Sequence, residues 1–495
     1  MGGEITWACQ GNGNYIFTMK LYRDCTGNAL GLNVSLRVHN HPTVPNIPMQ
    51  FIGKTDISPQ CSEFGPSWDC ENVSFGQNIF GISEEYIFVS NSINLPGIPP
   101  PEGWVFTFDE CCRNDVFNLV INPGETGITL RAIMYAYNGN NASPCFDSSP
   151  VFAQVPAIVI CVGNPFTYNH NAFDVNKDSL VYSFGQPLDW LNGQSWISGS
   201  SPPPIIFSPT FNVNNPFPGP SFPGSVPATL NTETGEIAFT PSLTGNFVTV
   251  ISVKSYRCGV LISEIFREIQ VSVINCGNND APIITAPFVN EFSGLQTSFV
   301  DTVVAGDFVS FSIVGFDDDI SIIGVPQTMS VNASGGQFGA NFTDPNSGCA
   351  NPPCATLSPA PPTVLANNGA ITFNWQTTCE HVVFEYDCYV PRNTYTFVLQ
   401  FQDDFCPAPS YKIATVAVVV EAPEILPPPQ LRCTDVQANG DVVLSWMPIA
   451  DPGNDFDAYM IYASSAATGQ FVLIDSVFNI NQNSLTHTGA AANSA

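Results

Sequence analysis

Phe173 to Tyr182 reads FDVNKDSLVY, and the fold class can be worked outward from it. Asp174, Asn176 and Asp178 place oxygen-bearing side chains at alternate positions of a turn. Asp and Asn favour turns because their side chains bond the backbone two residues on. The turn runs at once into the apolar strand SLVY. A shorter version, FDDDI, stands at Phe316–Ile320. An acidic turn that feeds a strand, used twice, predicts tandem β-modules with cations at their ends rather than a single catalytic cleft.

The same grammar extends in both directions. YIFTMKL at Tyr15–Leu21, VTVISV at Val248–Val253, IQVSVI at Ile269–Ile274 and TYTFVLQF at Thr394–Phe401 are short runs that alternate or are rich in β-branched and aromatic residues. The 43 prolines and 38 glycines punctuate them, and helical periodicity is nearly absent. The chain therefore reads as all-β, a tandem of immunoglobulin-like or cadherin-like β-sandwich modules ending in a partial fibronectin type III module.

Four segments follow. Residues 1–160 form a cysteine-rich amino-terminal β domain. Residues 161–276 form a β-sandwich module with a long Pro/Phe-rich loop at 201–227, whose Phe207, Phe211, Phe217 and Phe222 are expected to pack over the sandwich. Residues 277–421 form a second sandwich of similar pattern, in which GAITF at Gly369–Phe373 mirrors GEIAF at Gly235–Phe239. Residues 422–495 begin with the stiff PEILPPP linker and continue as a partial fibronectin type III-like domain, with Trp446 in VVLSW as its core tryptophan. Fewer residues follow Pro429 than the roughly 90–100 such a sandwich needs, so the protein is expected to continue past Ala495. The opening Met1-Gly-Gly-Glu has no basic region or apolar core. Met1 is therefore expected to be internal to a longer precursor, or added to a processed start.

Lys and Arg number 13 against 42 Asp and Glu, a net charge of −29. Such a surface repels a nucleic-acid backbone and attracts divalent cations. No run of apolar residues is long enough to span a membrane. The 16 cysteines make no convincing CxxC zinc pair, and their scatter between β-like runs points to disulfides formed in an oxidising compartment. The candidates are Cys9, Cys25, Cys61, Cys70, Cys111, Cys112, Cys145, Cys161, Cys258, Cys276, Cys349, Cys354, Cys379, Cys388 and Cys406. Cys161 evens the count of the first segment, and Cys258 and Cys276 are placed to pair with each other.

Calcium takes six to eight oxygens from carboxylates, amides and carbonyls. Asp174, Asn176 and Asp178 are one candidate ligand set, and Asp317, Asp318 and Asp319 a second, each holding a structural calcium. Neither is an EF-hand, since the glycine, the glutamate and the flanking helices are missing. Catalytic arrangements are weak. His39 and His41 bracket Asn40 as in a nuclease string, but the acidic chain argues against a DNA substrate. Asp109 and Glu110 lack an opposing carboxylate, as glycoside hydrolysis would need. Asp403 and Asp404 read as a loop pair. Trp190 and Trp196, flanking an Asn-Gly turn, are candidates for an exposed aromatic row that takes surface glycans, with burial in a core as the plainer alternative.

Several longer strings carry a resemblance. They are GGEITWAC at Gly2–Cys9, YRDC at Tyr22–Cys25, CCRND at Cys111–Asp115 and NHNAFDVNKDSLVYSFGQPL at Asn169–Leu188. SYRCGVLISEIFREIQVSVINCG at Ser255–Gly277, the Phe373-Asn-Trp375 and Thr378-Cys-Glu-His381 strings, and FQDDFCPAP at Phe401–Pro409 complete the set. Together they resemble the large type IX-secreted, gliding-motility-associated adhesin-like surface proteins of Bacteroidota. The resemblance implies export across the outer membrane, attachment by a distant carboxy-terminal sorting domain, and work in adhesion, gliding or filament formation. In such relatives the acidic turn more often reads D-x-D-G-D, where this chain has Asn176 and Lys177.

Two functions remain in view. The first is a non-enzymatic extracellular surface protein, adhesin-like or filament-forming, that self-associates or meets other surface components. The second is an accessory and spacer region of a secreted glycan-active enzyme whose catalytic domain lies outside this chain.

Overall fold

The computed structural model describes the chain except residues 1, 12, 60–69, 72–80, 122–124, 139–146, 157–158, 190–201, 278, 291, 321–323, 386–387, 391, 406–408, 424–425, 452–455, 465–470 and 491–495. Residues 383–385 and 388–390 are described by backbone alone. The described chain is almost wholly strand and loop, its helical elements being two single 3-10 turns, Ala340–Phe342 and Cys379–His381. It divides into two compact units, Met1–Glu421 and Ala422–Ala495.

The alternating runs fold as strands because every second side chain finds a core. In Asn14–Asp24 the residues Tyr15, Phe17, Met19 and Leu21 point inward and are buried. Eight strands pair in a closed circuit. Gly2–Cys9 pairs with Asn14–Asp24, and the circuit continues through Ser83–Ser90, Asn46–Asp56, Asn33–His39, Trp104–Glu110 and Ile128–Met134. It then reaches the long strand Val260–Ile274, which returns to the first strand at Gly3↔Glu268 and Glu4↔Arg267. The backbones are so close at this return that a Cβ on Gly2 would strike the Glu268 carbonyl, and one on Gly3 the Lys20 carbonyl. Only glycine fits there. Trp7, Phe17 and Phe106 meet inside, with Phe17 and Phe106 ring centres 4.6 Å apart.

On its other side Val260–Ile274 pairs along its length with Gly245–Arg257, and that strand pairs with Ser179–Phe184. Val159–Cys161 lies parallel to Ser272–Ile274. One sheet thus contains strands from both sides of residue 160, so the boundary expected at 160/161 does not separate two sheets. The reason is that Val260–Ile274 completes the pairing of strands laid down near the amino terminus. The long loop packs as expected. Phe211 and Phe217 are buried, Phe207 and Phe222 lie against the same core, and Phe217 stacks on Phe239 at 4.0 Å.

Residues after 276 build a sandwich. One sheet runs Ile283–Thr285, Phe308–Phe316, Asn368–Gln376, Thr356–Ser358. The other runs Val300–Val304, Tyr411–Glu421, Arg392–Asp403, Met329–Ser334, Thr363–Leu365. In Phe308–Phe316 alternate residues are buried without exception. Phe311 and Phe373 stack at 4.6 Å, and Phe397 of the opposite sheet meets Phe373 at 4.7 Å. The sandwich also packs against the amino-terminal sheet region, where Tyr411 meets Phe166 and Lys412 donates to the Thr167 hydroxyl at 2.9 Å.

The second unit has a three-stranded sheet of Leu431–Val436, Val442–Trp446 and Ser484–His487, and a hairpin of Tyr459–Ala463 and Val472–Val477. Trp446, Tyr459 and Val477 form its core, which puts the expected tryptophan at the centre.

Disulfides join Cys25–Cys70, Cys111–Cys112, Cys161–Cys276 and Cys349–Cys354, and Cys9 and Cys258 are also disulfide-bonded. Cys276 therefore pairs with Cys161 and not with Cys258, because Val159–Cys161 lies beside Ser272–Ile274. That bridge closes 115 residues, which restricts the unfolded chain by about 5 kcal/mol in the loop-closure picture. Cys379 is an exposed free thiol, contrary to its expected pairing, as is Cys433. Cys61, Cys145 and Cys406 lie outside the described residues, and Cys388 is described by backbone alone.

Four charged side chains lock the circuit. Arg267 is fully buried and ion-paired with Glu4, whose Oε2 also accepts the Tyr22 hydroxyl at 2.9 Å. Its guanidinium donates to the Gln154 carbonyl at 2.7 Å and faces the Phe152 ring at 4.2 Å. The next residue, Glu268, is gripped by both terminal nitrogens of Arg113, whose Nε donates to the Gly127 carbonyl at 2.8 Å. Removing one member of such a pair leaves a bare charge in a medium of low dielectric. Arg113→Ala is expected to destabilise the first unit by about 3–5 kcal/mol. The pair replacement Arg113→Met/Glu268→Leu is expected to recover most of that loss. Urea unfolding of all three proteins is the measurement, and a single-variant loss under about 1 kcal/mol would remove these pairs as a structural lock.

Candidate functional site

The turn at Phe173–Tyr182 is built around Asp174. Its Oδ1 accepts the Asn176 amide at 2.8 Å, which closes the Asx turn, and the Asp178 amide at 3.4 Å. Lys177 has φ 66°, a left-handed position that a side chain occupies at a cost of about 1–2 kcal/mol. The Lys177 ammonium donates to the Glu380 carbonyl of the sandwich, and Phe173 lies where a Cβ on Gly336 would stand.

Two of the three expected ligands are engaged by other groups of the chain. Asp178 is buried, and both of its oxygens are held by Arg257, at 2.8 and 2.7 Å. Asp147 shares the same guanidinium at 3.1 Å. Asn176 turns its Oδ1 to the Ser148 amide at 2.9 Å, and the Ser149 hydroxyl accepts the Trp7 amide at 2.9 Å. The partner of Asp178 is thus an arginine, supplied by a strand far along the chain, in place of the expected cation. The turn ties the segment after residue 146 to the first strand. Asp174 Oδ2 is buried without a hydrogen-bond partner among the described residues. Burial, with the Asp178 charge beside it, pushes the Asp174 carboxyl up to about 8. A cavity of about 320 Å³ opens beside the turn, walled by Asp174, Lys177, Tyr182, Arg392 and Tyr395.

The second acidic turn differs. Asp317, Asp318 and Asp319 each offer an oxygen within 4.8 Å of the others. Asp317 is buried, its Oδ1 accepts the Asp319 amide at 3.0 Å, and its Oδ2 has no partner among the described residues. Burial raises its carboxyl, and neighbouring Asp319, Asp318 and Asp404 add to the rise. Asp403, read from the sequence as one of a loop pair, is the last residue of the strand Arg392–Asp403. It is buried, and it accepts the Ser410 amide at 2.9 Å and the Asn279 side-chain amide at 2.7 Å. Burial pushes its carboxyl up to about 7, with Asp317 contributing.

The remaining described motifs make contacts within the framework. His39 bonds the Thr107 hydroxyl at 2.8 Å, and burial, then Arg37, lowers its pKa to about 4. His41 accepts the Val44 amide at 3.0 Å and packs on Trp104. Asp109 accepts the Thr129 hydroxyl at 2.9 Å and pairs with Arg37 at 3.2 Å. Trp190 and Trp196 lie outside the described residues. Cys25, Cys70 and Glu84 also stand close together, but the two sulfurs are joined in a disulfide. Sequence reasoning missed Glu4, Arg113, Arg257, Arg267 and Glu268 as functional parts of the framework. The signal was available: in a chain with 11% charged residues, an Arg-Glu pair inside the apolar strand EIFREIQVSV must be matched by buried partners.

No protein-family model matches the chain, and no curated protein is significantly similar to it. Among solved structures, a stretch of titin domains aligns at 12% identity over 68% of this chain and 87% of that one, with a TM-score of 0.17. Drosophila N-cadherin EC1-3 aligns at 11% identity over 69% and 83%, with a TM-score of 0.18. The surface-layer protein SbsC aligns at 11% identity over 98% and 63%, with a TM-score of 0.15. Likenesses at this level carry nothing about what the chain does.

The raised Asp174 pKa has a definite sign. Between the unfolded value near 4 and the folded value of about 8, the native state holds a proton that the unfolded chain has released. This residue's contribution to stability is therefore full below pH 4 and lost as pH rises to 8. Relative to wild type, Asp174→Asn is expected to gain stability steadily from pH 5 to pH 8.5. Urea midpoints of both proteins at several pH values check it, and parallel pH profiles would show that Asp174 is ionised throughout.

Proposed function

We propose that this chain is a non-enzymatic, adhesin-like component of a bacterial cell surface, exported and displayed outside the cell, where it works mechanically. The observation that carries this reading is the lacing of an all-β chain by disulfides, above all Cys161–Cys276 across 115 residues. Such bonds form and persist in oxidising, extracellular settings. The resemblance to type IX-secreted, gliding-associated proteins of Bacteroidota supports the same place. The strings that carry it, GGEITWAC, CCRND and EIFREIQVSV, contain the close-approach glycines and the buried ion pairs of the framework.

Asp109, which with Glu110 first suggested acid–base chemistry, is ion-paired with Arg37 in the framework. Growth into a filament by strand addition has little support at the edge strand Val300–Val304. The amides of Val300, Thr302 and Val304 are already bonded by side chains of Ser298, Asp301 and Asp307, a blunting that natural edge strands use against pairing. The adhesin reading is favoured over that route. Surface glycans or protein partners would meet loops and clefts such as the one beside Lys177 and Arg392.

Immunogold labelling of intact cells tests the location, and analytical ultracentrifugation of the purified chain tests assembly. Labelling without permeabilisation and a monomer at tens of micromolar are the expected results. Labelling only after permeabilisation, or release of sugars from a polysaccharide panel by the purified chain, would defeat the proposal.

A further inference from the structure

The acidic turn Asp317–Asp319 is one side of a larger assembly of oxygens at the junction where the chain enters the sandwich. Asp317 lies at the end of Phe308–Phe316, and Asp403 ends Arg392–Asp403. Asn279 and Asp280 come from the segment that follows the Cys161–Cys276 bridge. The Asp280 amide donates to Asp319 Oδ2 at 2.8 Å. Asn279 donates to Asp403 Oδ2 at 2.7 Å and accepts from the Gln327 side chain at 2.8 Å. Gln327 in turn donates its backbone amide to the Asp319 carbonyl at 3.1 Å. Sequence positions 279–280, 317–319, 327 and 403 therefore meet in one network.

Two buried acceptors of this network, Asp317 Oδ2 and Gln327 Oε1, have no partner among the described residues. Asp317 is 4% exposed and Gln327 is 1% exposed. Leaving an acceptor unmet in the interior costs about 1–3 kcal/mol, and more for a charged one. No Lys or Arg forms an ion pair with Asp280, Asp317, Asp318, Asp319, Asp403 or Asp404 among the described residues. At the other acidic turn, Arg257 supplies the opposite charge.

The donor set consists of carboxylate, amide and carbonyl oxygens, which selects a hard cation. The three carboxylate oxygens lie within 4.8 Å of one another. Two oxygens bound to calcium at about 2.4 Å stand at most about 4.8 Å apart, whereas magnesium at about 2.0–2.1 Å would need a contracted, octahedral cage.

We propose that Asp317 and Asp319, with Asp318 at the solvent side, bind a calcium ion that clamps the Asn279–Asp280 segment to the sandwich. The ion neutralises the clustered carboxylates and supplies the missing partner of Asp317 Oδ2. Asp403 holds Asn279 in place as a positioning residue. The consequence is mechanical. With calcium, the segment joining the Cys161–Cys276 bridge to the sandwich is held at the Asp319 side. Without it, the carboxylates repel one another and the segment is released.

Thermal unfolding and limited proteolysis of the whole chain test this, with calcium chloride, magnesium chloride or EDTA as the only variable. Calcium is expected to raise the Tm by about 5 °C at saturation, with a smaller rise in magnesium, and to slow cleavage within 277–282 at least tenfold. Asp317→Asn is expected to abolish both effects. Asp319→Asn, at a half-buried position where misfolding is less of a risk, is expected to weaken calcium binding at least tenfold. Arg257→Lys is expected to leave the response intact. Coincident wild-type melts in calcium and EDTA would overturn the proposal, with protons taking the place of the ion. So would a calcium response that survives in both Asp317→Asn and Asp319→Asn.

Discussion

Two adjacent charges in the long strand Val260–Ile274 constrain the rest of the first unit. Arg267 and Glu268 point to opposite faces of the strand, since side chains alternate, and both are buried. Neither face can then be left to water, and each charge needs its own counter-ion inside the protein. Glu4 answers Arg267 from the first strand, and Arg113 answers Glu268 from the loop after Cys112. A register slip of one residue would exchange the two faces and set like charges together. The ion pairs thus specify the register at which the strand circuit closes. The glycines Gly2 and Gly3 are the steric side of the same closure.

The two acidic turns show how similar strings acquire different physics. Both begin with an Asp whose carboxylate caps a backbone amide two residues on. At Asp178 a buried arginine crosses from the neighbouring strand and the turn becomes an ion-paired brace. At Asp317 the neighbouring charged groups are other carboxylates, those of Asp318, Asp319, Asp403 and Asp404. A carboxylate that meets a guanidinium is neutralised within the chain. One whose charged neighbours are all carboxylates needs a proton or a metal ion from outside. The first turn, which looked like the better ligand set, is therefore the weaker candidate.

In the mechanical role proposed above, these features would each carry part of the load. Disulfides limit how far the chain can extend, and buried ion pairs hold the register of the sheet. The polar junction lies where the sheet region passes into the sandwich, held by contacts such as Asn164 to the Asn279 carbonyl at 2.7 Å. At least eight Lys or Arg side chains are taken up in ion pairs, while the acids outnumber the bases 42 to 13.

The all-β class, the core tryptophan at Trp446, the packed phenylalanines of the 201–227 loop and the oxygen-rich turn at Asp317 were legible in the sequence. Each depends on neighbouring residues: the two-residue period of a strand, the bias of Asx residues toward turns, the apolar character of a loop. The pairing of Cys161 with Cys276, the sheet shared across residue 160 and the counter-ions were not legible. Arg267 and Glu4 are 263 residues apart, Glu268 and Arg113 are 155 apart, and Asn279 and Asp403 are 124 apart. Periodicity reports which side of a strand is buried, but not which strand comes to lie beside it. The sequence by itself determined the kinds of element and the presence of carboxylates that needed a partner. Only the tertiary structure decided which of them met an arginine and which met more oxygen, because that choice depends on how distant strands are brought together.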